Sequence, residues 1–394
     1  MKRIILRNFR NYEEQAIEFN DTFNFIYGDN GHGKTNILEA ISLLTYGRSF
    51  IGTVDNECVK FGNEEFFIEG EFENDQDITF LVRLTYSHSL KKKIYMLNGE
   101  KVSGFSSDIF GKFPVVFLSP QNLSITYGNP SERRKFFDIL IAQTSKVYLG
   151  YLKELTKILK QKNALLKSNL SGGNFSEAEL GNLLDSYNEK FLEASSSVIF
   201  RRLEFLKEFV GYFRKNFGEL INANDETSIH YYSDVFGEIS GTFLSIEEIR
   251  AALAKEMKEK LKEEIIRGIT LVGPQRDDYI FRLKKESDGD NNKIGFTLKS
   301  FGSQGEHKTF LIALKLAEYY YLKDSMGTRP ILMLDDVLSE LDYSRITNII
   351  SHLNTFGQIL LTTTDINYSK GIQNFYKDDE FSLFNVNLGK VSQN

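Results

Sequence analysis

The sequence of 394 residues contains a single cysteine and only five histidines. One thiol, Cys58, excludes a disulfide within the chain, and we interpret it as a buried and unreactive residue. The histidines fall in no spacing that is typical of metal ligands. Neither a disulfide-stabilised fold nor a histidine-based metal centre is therefore predicted.

Long apolar runs and an excess of positive charge are also lacking. No stretch is long enough to cross a bilayer, and the first residues, MKRIILRNFRNYEEQ, become charged too soon for a signal peptide. We therefore expect a cytoplasmic protein without a membrane partner. The formal net charge of -6 argues against coating of nucleic acid by bulk electrostatics, so any nucleic-acid site must be a local basic surface.

A phosphate-binding loop is predicted near the start of the chain, in FNFIYGDNGHGKTNILEAISLL. The apolar run 23–27 is typical of a buried strand, and the residues after the loop have helical spacing. Between them stands the pattern G-x-x-x-x-G-K-[ST], the Walker A motif. The residues that we predict to bind ATP are Gly28, Asp29, Asn30, Gly31, His32, Gly33, Lys34, Thr35 and Asn36. The glycines let backbone N–H groups face phosphate oxygens, Lys34 is expected to reach the β and γ phosphates, and Thr35 to bind Mg²⁺.

The acidic partner of this loop is predicted far along the chain, in RPILMLDDVLSELD. The apolar run 331–334 is expected to form a buried strand that ends at Asp335 and Asp336. Asp335 is placed to hold Mg²⁺, directly or through water, and Asp336 to orient and deprotonate the attacking water. Lys34 and Asp336 are therefore the predicted catalytic residues.

Two short segments resemble the signature motif with which an ABC ATPase binds the ATP held by a second subunit. The first, LSGGN at 170–174, is followed by no acidic strand. We interpret it as a loop between two helices, with Ser176 and Glu179 spaced like a capping box. The second, SQGE, opens a helical pattern and lies before the acidic strand. The predicted signature residues are thus Ser303, Gln304, Gly305 and Glu306, and the predicted D-loop residues are Ser339 and Asp342.

Taken together, these motifs resemble those of the RecF family, bacterial recombination-repair ATPases that are related to SMC heads. Further family-like segments are LRNFRNYEE, GKTNILEAI, GRSF, NPSERRKFFD and GPQRDD, in the expected order over nearly the whole chain. The departures are Glu306 and Lys308, where Gln and Arg are common in the family, and Gln275, where His is usual. The resemblance implies ATP and Mg²⁺ as cofactors, an ATP-dependent homodimer, double-stranded or gapped DNA as a partner, and the mediator proteins RecR and RecO as further partners.

The predicted fold class is an α/β P-loop ATPase head of the ABC and SMC type, built from both chain ends, with an inserted, largely helical lobe II. We expect residues 1–119 and 268–394 to form lobe I and residues 120–267 to form lobe II. In YLKELTKILKQKNALLKSNL an apolar stripe and a basic stripe share one helix, which predicts a short antiparallel arm. The very long heptad arms of SMC proteins do not fit between Thr35 and Ser303.

The expectation of DNA binding rests mainly on the resemblance, with basic runs as support. For each run taken alone, a solvated surface is the simpler interpretation. The candidate phosphate contacts are Arg133, Arg134 and Lys135, the arm residues Lys153, Lys157 and Lys160, whose basic stripe also includes Lys162 and Lys167, and further Lys91, Lys92, Lys93, Arg201 and Arg202.

The motifs predict an ATPase, and the resemblance implies a weak, Mg²⁺-dependent one that acts as a switch in recombinational repair and replication-fork maintenance. ATP binding is expected to join two heads on DNA, and slow hydrolysis to release them. The alternative is the ATPase subunit of a membrane transporter. That alternative requires a Q-loop, for which Gln121 is a weak match, and a more compact helical lobe than this chain has.

Overall fold

The chain divides into two compact units. The computed structural model describes residues 1–170, 177–220, 225–239, 244–285, 295–337 and 356–394. Unit 1 comprises Met1–Leu123 and Leu314–Asn394, and unit 2 comprises Ser124–Ala313. Unit 1 is therefore assembled from both ends of the chain, as the positions of the phosphate loop and the acidic strand predict.

The strands of the described residues are β1 (Arg3–Phe9), β2 (Tyr12–Glu18), β3 (Phe23–Tyr27), β4 (Glu65–Glu73), β5 (Thr79–Ser87), β6 (Lys92–Leu97), β7 (Glu100–Lys101), β8 (Val115–Leu118), β9 (Glu226–Ser233), β10 (Gly237–Ile239), β11 (Asp278–Lys284), β12 (Phe296–Thr297), β13 (Ile331–Asp335), β14 (Ile359–Thr363), β15 (Phe381–Asn387) and β16 (Lys390–Gln393).

The α-helices of the same residues are α1 (Lys34–Tyr46), α2 (Phe105–Asp108), α3 (Ser124–Tyr127), α4 (Pro130–Thr144), α5 (Lys146–Leu170), α6 (Glu177–Leu220), α7 (Ile246–Arg267), α8 (Leu298–Phe301), α9 (Gln304–Met326) and α10 (Asn367–Gln373). Short 3₁₀ helices lie at Asp55–Cys58, Pro120–Leu123 and Asp378–Glu380. Within the described part of the chain, no helix is both long enough and apolar enough to cross a membrane.

Unit 1 contains a mostly parallel sheet that carries the predicted phosphate loop. Within the described residues its strand order is β16-β15-β3-β14-β13-β8, with parallel pairing from β15 to β8 and an antiparallel edge strand, β16. Strands β8, β13 and β14 are buried along their whole length. Strands that are covered on both faces have continuous apolar sequences, which explains why FNFIY, VVFL and ILML show no alternation.

The second sheet of unit 1 is antiparallel, and its described strands have the order β2-β1-β4-β5-β6-β7. In β4, sequence EFFIEGEFE, every second residue is buried, so that Phe66, Ile68 and Phe72 enter the core. Alternation of this kind is typical of a sheet with one covered face.

Helix α1 is packed in the core of unit 1. It contacts β4 and β5 of the antiparallel sheet and β13 and β14 of the parallel sheet. Its residues Ile37, Leu38, Ile41 and Leu44 are fully buried in a core cluster with side chains of both sheets. The helix that follows the phosphate loop is therefore fixed on two sides, which holds the loop in place.

Unit 2 contains the predicted antiparallel pair of helices, α5 and α6. Arg202, just past the middle of α6, donates to the hydroxyl of Tyr148 near the start of α5, whereas Lys162, further along α5, donates to Asn188 nearer the start of α6. The two helices therefore run in opposite directions. The buried Lys162 corrects the predicted basic stripe: its ammonium group lies over the ring of Phe191 and does not face solvent.

Unit 2 also contains a sheet, whose described strands have the order β10-β9-β11-β12. Strand β11 pairs with β9 over its whole length. Its Tyr279 stacks on Phe137, and its Phe281 packs against Phe310. This pairing places residues 268–313 in unit 2, whereas we expected lobe I to resume at 268.

Two of the family-like segments meet at one buried arginine of unit 2. The guanidinium of Arg202, on α6, donates to both carboxylate oxygens of Asp138 at 2.9 Å and to the carbonyl of Pro274 at 2.9 Å. Asp138 ends NPSERRKFFD and Pro274 belongs to GPQRDD. Beside them, burial raises the pKa of Asp277 to about 6, although the charge of Arg202 opposes the shift. Arg202 thus links the two segments to α6 in the interior of unit 2.

We expect Arg202→Met to lower the free energy of unfolding by about 3–5 kcal/mol, because it leaves the half-buried Asp138 and the buried Asp277 without their counter-charge. Arg201→Met is the matched control: the neighbouring arginine is exposed, its ion pair with Glu204 lies at the surface, and its loss is expected to cost about 0–1 kcal/mol. Guanidinium-induced unfolding followed by circular dichroism measures both. Equal losses in the two variants would contradict a structural role for Arg202.

Candidate functional site

The phosphate loop connects β3 to α1 in unit 1 and depends on its glycines. Gly28 and Gly33 have φ angles of 155° and 113°. A Cβ atom on Gly28 would lie 2.2 Å from the carbonyl oxygen of Val386, and one on Gly33 would lie 2.7 Å from the side-chain amide of Asn11. Only glycine satisfies both the backbone angle and the space at these two positions. Between them, Asp29, Asn30 and Gly31 are exposed, so the tip of the loop faces solvent.

Lys34, the first residue of α1, turns its side chain back into the loop. Its Nζ donates to the carbonyl oxygens of Gly28 at 2.7 Å and Asp29 at 3.0 Å. Burial lowers the pKa of Lys34, while the carboxylates of Asp336 and Asp335 act against that shift. A positive charge is thus held inside the loop, where a phosphate is expected to bind.

Thr35 joins the phosphate loop to the acidic strand. Its Oγ1 donates to Oδ1 of Asp335 at 2.8 Å, across 300 positions of sequence. Burial raises the pKa of Asp335, and hydrogen bonds from Thr362 and Thr35 act in the opposite direction. A hydroxyl and a carboxylate at this distance are oxygen donors of the kind that Mg²⁺ prefers, so the residues present fit that cation.

Asp336 follows at the end of β13 with a backbone conformation that is rare outside glycine. Its φ angle is 48°, in the left-handed region, and its side chain is half-buried. Strained backbone of this kind is concentrated at functional sites, where the surrounding structure enforces it. The two acids have different surroundings, since Asp335 is buried and Asp336 is half-buried.

The turn between β1 and β2 supports the loop, a role that sequence reasoning missed. Asn11 Nδ2 donates to the carbonyl of His32 at 2.7 Å, and Asn36 Nδ2 donates to Asn11 Oδ1 at 2.9 Å. The hydroxyl of Tyr12 donates to the carbonyl of Gly33 at 2.9 Å. In the sequence, LRNFRNYEE resembles the family and shows no other sign of this role. The polar residues Asn11 and Tyr12 within it are the signal that could have indicated it. Through these bonds His32 and Asn36, predicted to bind ATP, take part in holding the loop.

The predicted signature residues begin helix α9, and they form a capping box. The N–H of Ser303 donates to Glu306 Oε2 at 2.7 Å, and the N–H of Glu306 donates to Ser303 Oγ at 3.3 Å. Ser303 and Gln304 are exposed, and Gly305 is half-buried. The departure from the family at Glu306 thus has a local reason, because Glu at the third helical position caps the helix start.

A lysine compensates the charge of Glu306. Lys285 Nζ lies 2.6 Å from Glu306 Oε1. Burial alone would raise the pKa of Glu306, but the hydrogen bonds from Lys285 and Ser303 outweigh it and lower the pKa. Glu306 is therefore a paired carboxylate and not an isolated negative charge within the predicted signature.

Two further predictions fall on residues that the structure does not describe. The D-loop residues Ser339 and Asp342 lie outside the described ranges. The same is true of Ser176 and of LSGGN beyond Leu170.

The predicted DNA contacts in SERRKFFD need correction. Arg133 is buried, and its guanidinium donates to both carboxylate oxygens of Asp278, at 2.7 and 2.9 Å. Arg134 is half-buried and donates to the carbonyl of Asp277. Arg133 is therefore an internal counter-charge and not a contact for DNA, whereas Arg134 donates to a backbone carbonyl and keeps part of its surface exposed. Lys135 is exposed.

The three arm lysines lie on the solvent face of α5. Lys153, Lys157 and Lys160 are all exposed, whereas Leu155 and Ile158 between them are buried. The amphipathic pattern predicted this division, because residues three and four positions apart share a face.

Comparison with known proteins places these features in a family. The model of the RecF/RecN/SMC N terminal domain matches residues 1–378. The DNA replication and repair protein RecF of Chloroherpeton thalassium is 36% identical over 369 residues, which cover 92% of this chain and 94% of the relative. That of Leptospira interrogans is 33% identical over 394 residues, covering 99% and 98%. The chain belongs to the RecF family.

Solved structures agree with this RecF assignment. The structure of the recombination mediator protein RecF-ATPrS in the RecFOR pathway is 30% identical, with a TM-score of 0.85 over 100% of this chain and 97% of that chain. The Smc head domain of Pyrococcus furiosus, 15% identical with a TM-score of 0.52, shares the fold alone. The predicted family and the predicted fold class are confirmed. Since the relatives are DNA replication and repair proteins, they favour the predicted function over the transporter alternative.

Lys34→Ala is expected to weaken ATP binding by about 10- to 100-fold, because it removes charge-assisted hydrogen bonds to phosphate in the ground state. Asp336→Asn is expected to keep ATP binding and lower kcat by about 10²- to 10⁴-fold, because it removes the base for the attacking water. Equilibrium binding of a fluorescent ATP analogue and steady-state phosphate release separate the two effects. Normal turnover in Asp336→Asn would show that another group is the base.

Proposed function

We propose that this chain is an ATP-switched DNA-binding protein of recombinational repair and replication-fork maintenance. The observation that carries the proposal is the 2.8 Å hydrogen bond between Thr35 and Asp335, which joins the phosphate loop and the acidic strand in one unit of a RecF-family chain. The family and its ATP-bound relative make ATP the nucleotide.

Different residues of unit 1 bind the phosphates, hold the cation and activate the water in a weak ATPase. The exposed loop residues 29–31 and the start of α1 receive the phosphates, and Lys34 neutralises the β and γ phosphate charge. Thr35 and Asp335 are the residues that would hold Mg²⁺, which supplies neutralisation of developing charge on the phosphate oxygens when it is bound. Asp336 orients the attacking water and accepts its proton.

Head-to-head dimerisation converts ATP binding into a switch. The exposed start of α9 at Ser303 and Gln304 presents a helix N-terminus, which favours the γ-phosphate of ATP held by a second copy. A twofold axis repeats this contact twice. Hydrolysis removes the phosphate and with it the differential contact, so that ADP releases the dimer.

DNA is the partner of the dimer, with Lys135 and the exposed lysines of α5 as candidate phosphate contacts. Arg133 is excluded by its burial. Because the relative of known structure is described as a mediator in the RecFOR pathway, we include RecR and RecO as partner proteins.

Ser303→Arg is expected to abolish dimerisation by a non-hydrolysable ATP analogue, because a long side chain then stands where the second copy's phosphate binds. Ser245→Arg is the matched control, since Ser245 and Glu248 form the same capping box at α7. Analytical ultracentrifugation measures association: Ser245→Arg should still dimerise with the analogue, whereas Ser303→Arg should bind the analogue but remain a monomer. A dimer of Ser303→Arg as stable as the wild type would overturn the signature assignment.

Lys157→Gln with Lys160→Gln is expected to reduce the slope of log K for duplex DNA against log salt by about 1.8, because each neutralised phosphate contributes about 0.9. Lys255→Gln with Lys258→Gln removes two exposed lysines from α7 of the same unit and is the matched control. Fluorescence anisotropy with labelled duplex and gapped DNA over a salt series gives the slopes. Equal slopes in both double variants would place the DNA path elsewhere.

A further inference from the structure

Thr362 is a buried hydroxyl at the centre of the ATPase site that no motif of the sequence marks. It lies near the end of β14, which is paired on one side with β3 and on the other with β13. In the β13–β14 register it stands opposite Asp335. Its side chain is fully buried.

The hydroxyl of Thr362 contacts both acidic residues. Its Oγ1 donates to Oδ1 of Asp335 at 2.7 Å. The backbone N–H of Asp336 lies 3.1 Å from the same Oγ1 and 3.1 Å from the carbonyl oxygen of Thr362. A hydroxyl has one proton to donate and two lone pairs to accept with, so both contacts are made at once.

These bonds fix two different properties of the site. Oδ1 of Asp335 accepts from Thr362 and from Thr35, so two donors on separate elements determine how the carboxylate is rotated. The N–H of Asp336 is held where its backbone turns into the left-handed region, a conformation that is unfavourable for a residue with a Cβ atom. The threonine therefore acts at the junction of the two acids.

We propose that Thr362 is a positioning residue of the ATPase: its hydroxyl orients the Asp335 carboxylate toward the cation and anchors the turn that directs Asp336 toward the water. This inference rests on the proposed function. Partners that orient a metal-binding group are worth about 10- to 100-fold in metal affinity or activity in other proteins. In the simpler alternative, Thr362 only satisfies the hydrogen-bonding capacity of the buried Asp335 carboxylate. Removing its hydroxyl would then lower stability without changing Mg²⁺ dependence.

Three variants separate the two roles. Thr362→Val keeps the shape and removes the hydroxyl, and Thr362→Ser restores it. Thr363→Val is the matched control on the next residue of the same strand, where a buried hydroxyl accepts from the N–H of Asp365 at 3.2 Å and contacts neither acid. Thermal unfolding of each full-length variant reports whether it is folded.

The first measurement needs no turnover: equilibrium binding of a fluorescent ATP analogue is titrated with MgCl₂. We expect Thr362→Val to raise the Mg²⁺ concentration for half-maximal enhancement of binding by about 10-fold or more, with binding in the absence of Mg²⁺ unchanged. The second measurement is phosphate release, in which kcat is expected to fall by about 10-fold or more with little change in KM. Thr362→Ser should return both values to near those of the wild type, and Thr363→Val should not move them.

Wild-type Mg²⁺ dependence in Thr362→Val, with a loss of thermal stability equal to that of Thr363→Val, would overturn the inference and leave the proposed function standing. Failure of Thr362→Ser to restore either value would also overturn it. If the wild-type protein itself shows no Mg²⁺-dependent nucleotide binding, both the proposed function and the inference fail.

Discussion

The hydrogen bond between Thr35 and Asp335 is the contact on which the organisation of the ATPase unit depends. Neither end of the chain has a complete site: one supplies a loop for phosphate, the other supplies the acids. The bond exists because β3 and β13 flank the same strand, β14, and end at the same edge of a parallel sheet. The packing of α1 between the two sheets of unit 1 then holds the loop at that edge. In the sequence, unit 2 lies between β8 and β13.

The parts of the site that the sequence predicts are those with a local cause. A loop with glycines at fixed positions, a lysine and a hydroxyl has few other structures available, so Lys34 and Thr35 were identified directly. An apolar run that ends in two acids is equally local, which identified Asp335 and Asp336. The helices of unit 2 follow from the 3.6-residue period of their apolar residues. Fold class and family were predicted for the same reason, since each motif is short and their order is informative.

The parts that the sequence does not predict depend on distant partners. Arg133 and Lys162 have the residue types of a solvated surface, yet Arg133 meets Asp278 and Lys162 meets Asn188 and Phe191. A charge is buried or exposed according to a partner that lies far along the chain, and no local pattern carries that information. The same holds for β11, which joins unit 2 through pairing with β9, and for Thr362, which is one threonine among three in TTTD. Glu306 shows the converse case, because its role as a helix cap is readable three residues from Ser303.

The strand that leads into the phosphate loop has both of its neighbours, β14 and β15, in the C-terminal segment. Phe23 of β3 pairs with Ile359 and Phe381, which lie more than 300 residues further along the chain. During synthesis, therefore, β3 is made long before either partner strand exists. The described strands of unit 2 pair only with one another, so this unit is available for folding earlier. Non-local pairing of this kind is slow, and it leaves apolar edges exposed until it forms. The nucleotide site is consequently among the last parts of the molecule to be completed. A nascent chain that ends before β13 has the phosphate loop but lacks Asp335, Asp336 and both neighbours of β3.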